Sequence, residues 1–185
     1  LTQPLADLVS ASDELAAGHY DQPLAYQRRR DEIGDLARAF DHMRVSIASQ
    51  REEVQRLAYW DRLTGLPNRL KFRNTVAESI ARQSGAWSVL MLDLDRFKHV
   101  NDVLGYAQGD RLLHAVAQRL AHVVGPDDVL ARLGGDEYAV LLPGGLDRAM
   151  RTVERITHVF EQPLSLDDQL VDLSAGIGIA VWPEH

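Results

Sequence analysis

From Ile33 onward, apolar side chains recur in alternating steps of three and four residues: Ile33, Leu36, Phe40, Met43, Ile47, Gln50, Val54 and Leu57. Only Gln50 is polar. Such a stripe is the a/d seam of a coiled coil. A lone helix would leave the seam in water, so it requires a partner helix, most simply that of a second copy of the chain. An earlier segment repeats the spacing at Leu1, Leu5, Leu8, Ser12 and Leu15 and stops at Gly18, a residue suited to the left-handed position just past a helix end. Between the two, residues 18–30 are polar, include Pro23 and read as an extended connector.

The period changes after Leu57. The segment Asp61-Arg62-Leu63-Thr64-Gly65-Leu66-Pro67-Asn68-Arg69 breaks the heptads, with Gly65 and Pro67 stopping the helix. Beyond it the elements alternate. Ala86–Leu92 is an apolar run of strand length, and Asp110–Val124 shows helical spacing at Leu112, Val116, Leu120 and Val123. Val129–Arg132 and Glu137–Leu142 flank a glycine pair and read as a hairpin. Leu146–Phe160 is amphipathic at Ala149, Val153, Ile156 and Phe160, and Leu170–Val181 is strand-like, with Gly176 and Gly178 as close-approach positions. The expected fold class is α+β, with helices packed on a mixed or antiparallel sheet behind an N-terminal helical segment.

Composition narrows the function classes. A formal net charge of -7 argues against a nucleic-acid partner, which would leave a basic footprint. With no cysteine there is neither a disulfide framework nor thiolate chemistry. No stretch reaches the roughly 18 consecutive apolar residues needed to cross a bilayer. The first ten residues carry Pro4 and Asp7 and do not read as a signal peptide.

Two places carry chemistry. Asp93-Leu94-Asp95 closes a buried strand, and strand alternation sends both carboxylates to one face. Hard cations such as Mg2+ take carboxylate and carbonyl oxygens; taken alone, the pair also fits a solvated strand end. In Gly134-Gly135-Asp136-Glu137-Tyr138, paired glycines permit positive φ and close approach of a phosphate to the backbone. By itself this too fits an ordinary hairpin. Together, an acidic strand end and an acidic hairpin tip on adjacent strands suit in-line attack of a hydroxyl on a phosphate at a metal site.

The motifs then converge on a resemblance. Asp31-Glu32-Ile33-Gly34 resembles the D-E-x-G signature of HAMP domains, with Pro4 and the Phe40/Met43 pair in agreement. Asp61 to Arg69 resembles the D-x-L-T-G-L-x-N-R segment that opens GGDEF-type diguanylate cyclase domains. Asp93 to Lys98, Asn101-Asp102, Gly105 and Gly109-Asp110 follow that family's D-x-D-x-F-K…N-D…G…G-D block, and G-G-D-E-Y its G-G-D/E-E-F signature. The implied organisation is a HAMP-like parallel coiled-coil relay over 1–50, a connecting signalling helix over 51–60 and a GGDEF domain over 61–185. That domain would have the palm-like mixed sheet with flanking helices of nucleotide cyclases.

The resemblance implies a diguanylate cyclase that condenses two GTP molecules into cyclic di-GMP and two pyrophosphates at a homodimer interface. Mg2+, with Mn2+ as the alternative, would be held by Asp93, the Leu94 carbonyl, Asp136 and Glu137; Asp136 or Glu137 would deprotonate the ribose 3′-hydroxyl. Substrate binding falls to Phe97, Lys98, Asn101, Asp110, Arg132, Gly134 and Gly135. Within that set Asn101 and Asp110 would meet the guanine edge, Lys98 the triphosphate, and the glycine pair the α-phosphate. The coiled coil would supply the homodimer, and membrane attachment would come only from segments outside this chain. The expected setting is the cytoplasmic face, with the parent protein anchored in the inner membrane by an upstream segment.

Three departures stand out. Tyr138 replaces Phe. Of the family's inhibitory R-x-x-D only Asp128 is present, because Gly125 stands where the bidentate arginine belongs. A basic C-terminal helix with a Y-x-A-K-like segment, usual in the family, does not follow before His185. The alternative reading is a catalytically silent GGDEF-type module that binds GTP or acts as a scaffold, relaying a signal to a downstream domain such as a cyclic di-GMP phosphodiesterase.

Overall fold

The computed structural model describes residues 2–20, 25–82, 85–166 and 169–184. Leu1, Pro23 and His185 of the readings above lie outside them. The chain forms two compact units, residues 1–56 and 57–185. No helix among the described residues is long and apolar enough to cross a membrane.

In the first unit, helix α1 (Thr2–Ala16) ends at Gly18, whose φ of 90° lets Gly18 N–H reach the Leu15 carbonyl and His19 N–H reach Glu14. This pair of bonds is the Schellman closure that a glycine past the helix end permits. Helix α2 (Glu32–Tyr59) starts where Asp31 Oδ1 accepts from Gly34 N–H at 3.1 Å. Arg29 and that N–H hold the Asp31 carboxyl down to about 2. Gly34 itself has no room for a side chain, since a Cβ there would lie 2.1 Å from the Arg29 carbonyl oxygen. The D-E-x-G string is thus a cap followed by a close crossing of the connector. Leu36, Met43 and Val54 on the heptad stripe are exposed, so the seam is open to solvent along this helix.

The second unit is built on a sheet of order β2-β3-β1-β6, formed by β1 (Trp87–Leu94), β2 (Val129–Gly134), β3 (Glu137–Pro143) and β6 (Ala175–Trp182). Every pairing in it is antiparallel, one of the two arrangements expected: β2 and β3 form a hairpin, while the helix-bearing connections from β1 to β2 and from β3 to β6 each cross over to a strand of the same direction two places away. Helices α3 (Arg69–Ala81), α4 (Phe97–Leu104), α5 (Tyr106–Val123) and α6 (Leu146–Phe160) surround it. On one face Leu90, Leu92, Leu94, Tyr138, Val140 and Leu142 pack against Leu112, Val116 and Leu120 of α5 and Ile156 of α6. On the other, Phe72 of α3 covers Ala131, Ala139 and Leu141.

The strand expected over Leu170–Val181 is two strands. β4 (Leu164–Leu166) and β5 (Gln169–Val171) form their own ladder, and β6 starts afresh at Ala175 in the main sheet. A continuous apolar pattern does not report which partner each half pairs with. Helix α5 begins at Tyr106, four residues before the helical spacing read from Asp110, which therefore lies in its second turn.

Candidate active site

The antiparallel register sets the site. Asp93, next to last in β1, stands opposite Glu137, first in β3, and Leu94 N–H points to the Asp136 carbonyl at 3.4 Å. The turn between β2 and β3 needs its glycines: Gly134 has φ 133° and Gly135 φ 53°, values that a side chain would strain. Asp93, Asp95, Asp136 and Glu137 therefore gather at one end of the sheet. Loss of solvent, and then the charges of Asp136, Glu137 and Asp95, push the Asp93 carboxyl above its ordinary range. Like charges crowded this way, with carbonyls alongside, are the donor set a divalent cation neutralises. Among the described residues no three acidic or histidine side chains form a ready-made metal cage. Asp95 accepts from Ser174 Oγ at 2.6 Å, and Glu137 accepts from Arg69 Nη2 at 2.7 Å.

Two of the expected substrate residues have structural contacts within the fold. Phe97 is buried in the core, where its ring supports α4. Arg132 is 9% exposed and its donors are committed. Its Nη1 bonds both Asp61 oxygens at 2.9 and 3.0 Å, while Nη2 and Nε bond the Gly135 carbonyl at 2.7 and 3.1 Å. It therefore clamps the glycine turn rather than reaching into solvent. Burial pushes the Asp61 carboxyl up, but the Thr64 hydroxyl, the Thr64 N–H and Arg132 outweigh it and leave the group below its ordinary range.

Lys98 on α4 and Asp110 on α5 are exposed, and Asn101 is half-buried. Gly109 lies directly under Asn101: a Cβ there would sit 1.8 Å from Asn101 Oδ1. The glycine lets the two polar groups expected at guanine share one corner of α4 and α5.

Asp128, the remaining residue of the expected inhibitory motif, has contacts of its own in the fold. Its side chain is 1% exposed, accepts from Gly125 N–H at 2.8 Å and pairs with Arg148 of α6 at 2.7 Å. The carboxylate is a loop brace turned inward. Tyr138, by contrast, fits its core position, since its hydroxyl donates to the Leu113 carbonyl at 2.7 Å.

Sequence reasoning missed Arg69, Arg148 and Ser174, and assigned Asp61 no contact. Asp61 and Thr64 at three-residue spacing signal a local turn, but nothing local points to Arg132. A cavity of about 390 Å³ beside the hairpin is lined by Asp61, Asn68, Arg69, Arg73, Arg132 and Gly134.

An acidic strand end facing an acidic glycine hairpin, on an antiparallel sheet backed by helices, defines a domain of the nucleotide-cyclase class. The family profile "Diguanylate cyclase, GGDEF domain" matches residues 58–185, and the HAMP domain profile matches residues 1–49. The chain belongs to the GGDEF family, with a HAMP domain preceding the GGDEF domain. Cyclic di-GMP phosphodiesterase NbdA of Pseudomonas aeruginosa is 30% identical over 187 residues, 99% of this chain and 23% of that protein. Diguanylate cyclase TpbB of Pseudomonas aeruginosa is 35% identical over 162 residues, 84% of this chain and 37% of that protein. The chain thus spans less than two fifths of the length of either relative. Among solved structures, the coiled coil and GGDEF domain of DgcB from Caulobacter crescentus, in complex with c-di-GMP, matches with a TM-score of 0.71 at 27% identity. It covers 80% of this chain and 81% of that one.

Proposed function

We propose that the chain is the HAMP and GGDEF portion of a diguanylate cyclase, organised as a relay over 1–50, a connecting helix over 51–60 and a catalytic domain over 61–185. The observation that carries this is the register opposing Asp93 to Glu137, which gathers four carboxylates where Gly134 and Gly135 open the backbone to a phosphate.

In this reading Asn101 and Asp110 accept from the guanine N–H donors, and exposed Lys98 meets the triphosphate. Asp93, the Leu94 carbonyl, Asp136 and Glu137 hold Mg2+ (Mn2+ would serve as well), which when bound offsets phosphate charge and favours the ionised hydroxyl. Asp136 or Glu137 takes the proton of the ribose 3′-hydroxyl. The new bond joins that oxygen to the α-phosphorus of the partner's GTP, the α–β bridging P–O bond breaks, and pyrophosphate leaves. Two such transfers close the ring, so the active species is a homodimer. The open heptad stripe of α2 supplies the means of pairing. The expected setting is the cytoplasmic face of a membrane, with anchoring elsewhere in the parent protein.

The test is cyclic di-GMP formation from GTP and Mg2+ by the longer parent protein, with Asp136→Ala as control. Product that vanishes in the control supports the cyclase. A second reading draws on NbdA, named as a phosphodiesterase, of which the matching stretch is 23%: GTP binding without product would make the domain a silent relay.

A further inference from the structure

Glu137 is at once the expected metal ligand and the partner of a cation. Arg69, first residue of α3, places Nη2 2.7 Å from Glu137 Oε2 and Nε 3.2 Å from the Leu133 carbonyl. The guanidinium therefore spans the glycine turn, touching the residue before it and the acid after it. It is fixed from behind as well. Asn68, immediately before Arg69, caps α3 by accepting from Lys71 N–H and donates its side-chain amide to the Ala58 carbonyl. Asp93 stands opposite Glu137 across the β1–β3 ladder, so the carboxylate that Arg69 holds borders the acidic cluster.

We propose that Arg69 is a positioning residue that competes with the divalent cation for Glu137: it holds this carboxylate on the outer side of the hairpin until the cation draws it in. The inference rests on the metal-dependent reading of the site given above. Arginine suits the part because its fork bonds a backbone carbonyl and a carboxylate together and stays charged at all working pH values. The pair is half-exposed, 66% and 43% by side chain, so the hold is modest and releasable.

The measurement is Mn2+ affinity by electron paramagnetic resonance without nucleotide, Mn2+ taking the same oxygen ligands as Mg2+. Arg69→Met is expected to tighten binding about two- to fivefold, the range an exposed ion pair allows. Removing any nearby positive charge would favour a cation, so Arg73→Met, one helical turn further along α3, measures that general effect and should be smaller. In a Glu137→Gln background the excess of Arg69→Met over Arg73→Met should vanish. Arg69→Lys, which keeps charge but loses the fork, should fall between wild type and Arg69→Met. Equal effects of Arg69→Met and Arg73→Met, or an excess that survives Glu137→Gln, overturn the proposal. A wild-type chain that binds no Mn2+ overturns the metal reading and the latch with it. Binding that obeys the cycle in a protein making no cyclic di-GMP leaves the latch standing and sinks only the cyclase assignment.

Discussion

Asp61 and Arg132, 71 positions apart in sequence, form a two-point ion pair at 2.9 and 3.0 Å, and the same guanidinium holds the Gly135 carbonyl. The segment that follows α2 is thereby fastened to the turn that carries Asp136 and Glu137. The signature motifs at the two ends of this contact are one structural unit.

Replacing Arg132 by Met would leave Asp61 largely buried without its cation and the Gly135 carbonyl without its donors. The side chains are 10% and 19% exposed, so the expected loss is about 2–4 kcal/mol, approaching that for breaking a fully buried pair. Urea unfolding checks it. Cyclase turnover should fall with it, because the glycine turn loses its clamp.

The Asp61 carboxyl also makes a pH prediction. Its folded-state value lies below the unfolded one, so in the window between them the unfolded chain binds more protons. The stabilisation is fully present above about pH 5 and is lost as pH falls through about 4 towards the folded value. Urea midpoints for Asp61→Asn should be lower than wild type at pH 7, with the gap narrowing towards pH 3. A constant gap would place the effect elsewhere.

Tyr138→Phe should cost about 1 kcal/mol, the usual net worth of one buried hydrogen bond. The lost bond runs to Leu113, whose carbonyl also sits within a helix, so no unpaired group of consequence remains. Cyclase activity should be retained. A large loss of turnover without a stability change would mean that the hydroxyl has a functional part that the geometry does not suggest.

Gly109→Ala separates binding from stability. Alanine gains about 1 kcal/mol of helix propensity, while its Cβ displaces the Asn101 amide that lies 1.8 Å from it. The two effects offset in a thermal melt, but GTP affinity should drop about tenfold, roughly 1.4 kcal/mol. Unchanged affinity would remove Asn101 from the guanine site.

Arg148→Ala tests the buried loop brace. Among the described residues it leaves the Asp128 carboxylate with the Gly125 N–H, at an expected cost of about 1–3 kcal/mol. Affinity for cyclic di-GMP, measured by calorimetry, should not change. A drop would keep Asp128 in an effector site and add Arg148 to it.

Much of the chain follows from local sequence. The heptad stripe from Ile33 to Leu57 lies within one helix because its period is a property of consecutive residues. Gly18 closes α1 and the Gly134-Gly135 pair turns the hairpin because backbone conformation there is decided residue by residue. The hairpin register follows from it, and with it the meeting of the hairpin acids with Asp93 once β1 lies alongside. Tertiary structure decided the rest. It split the apolar run around Asp172 between two ladders, since strand pairing depends on partners far away in sequence. It committed Arg132 to Asp61, Asp128 to Arg148 and Glu137 to Arg69. A charged side chain reads the same in sequence whether it faces water, a ligand or a counter-charge, and only the folded chain brings a particular partner within reach.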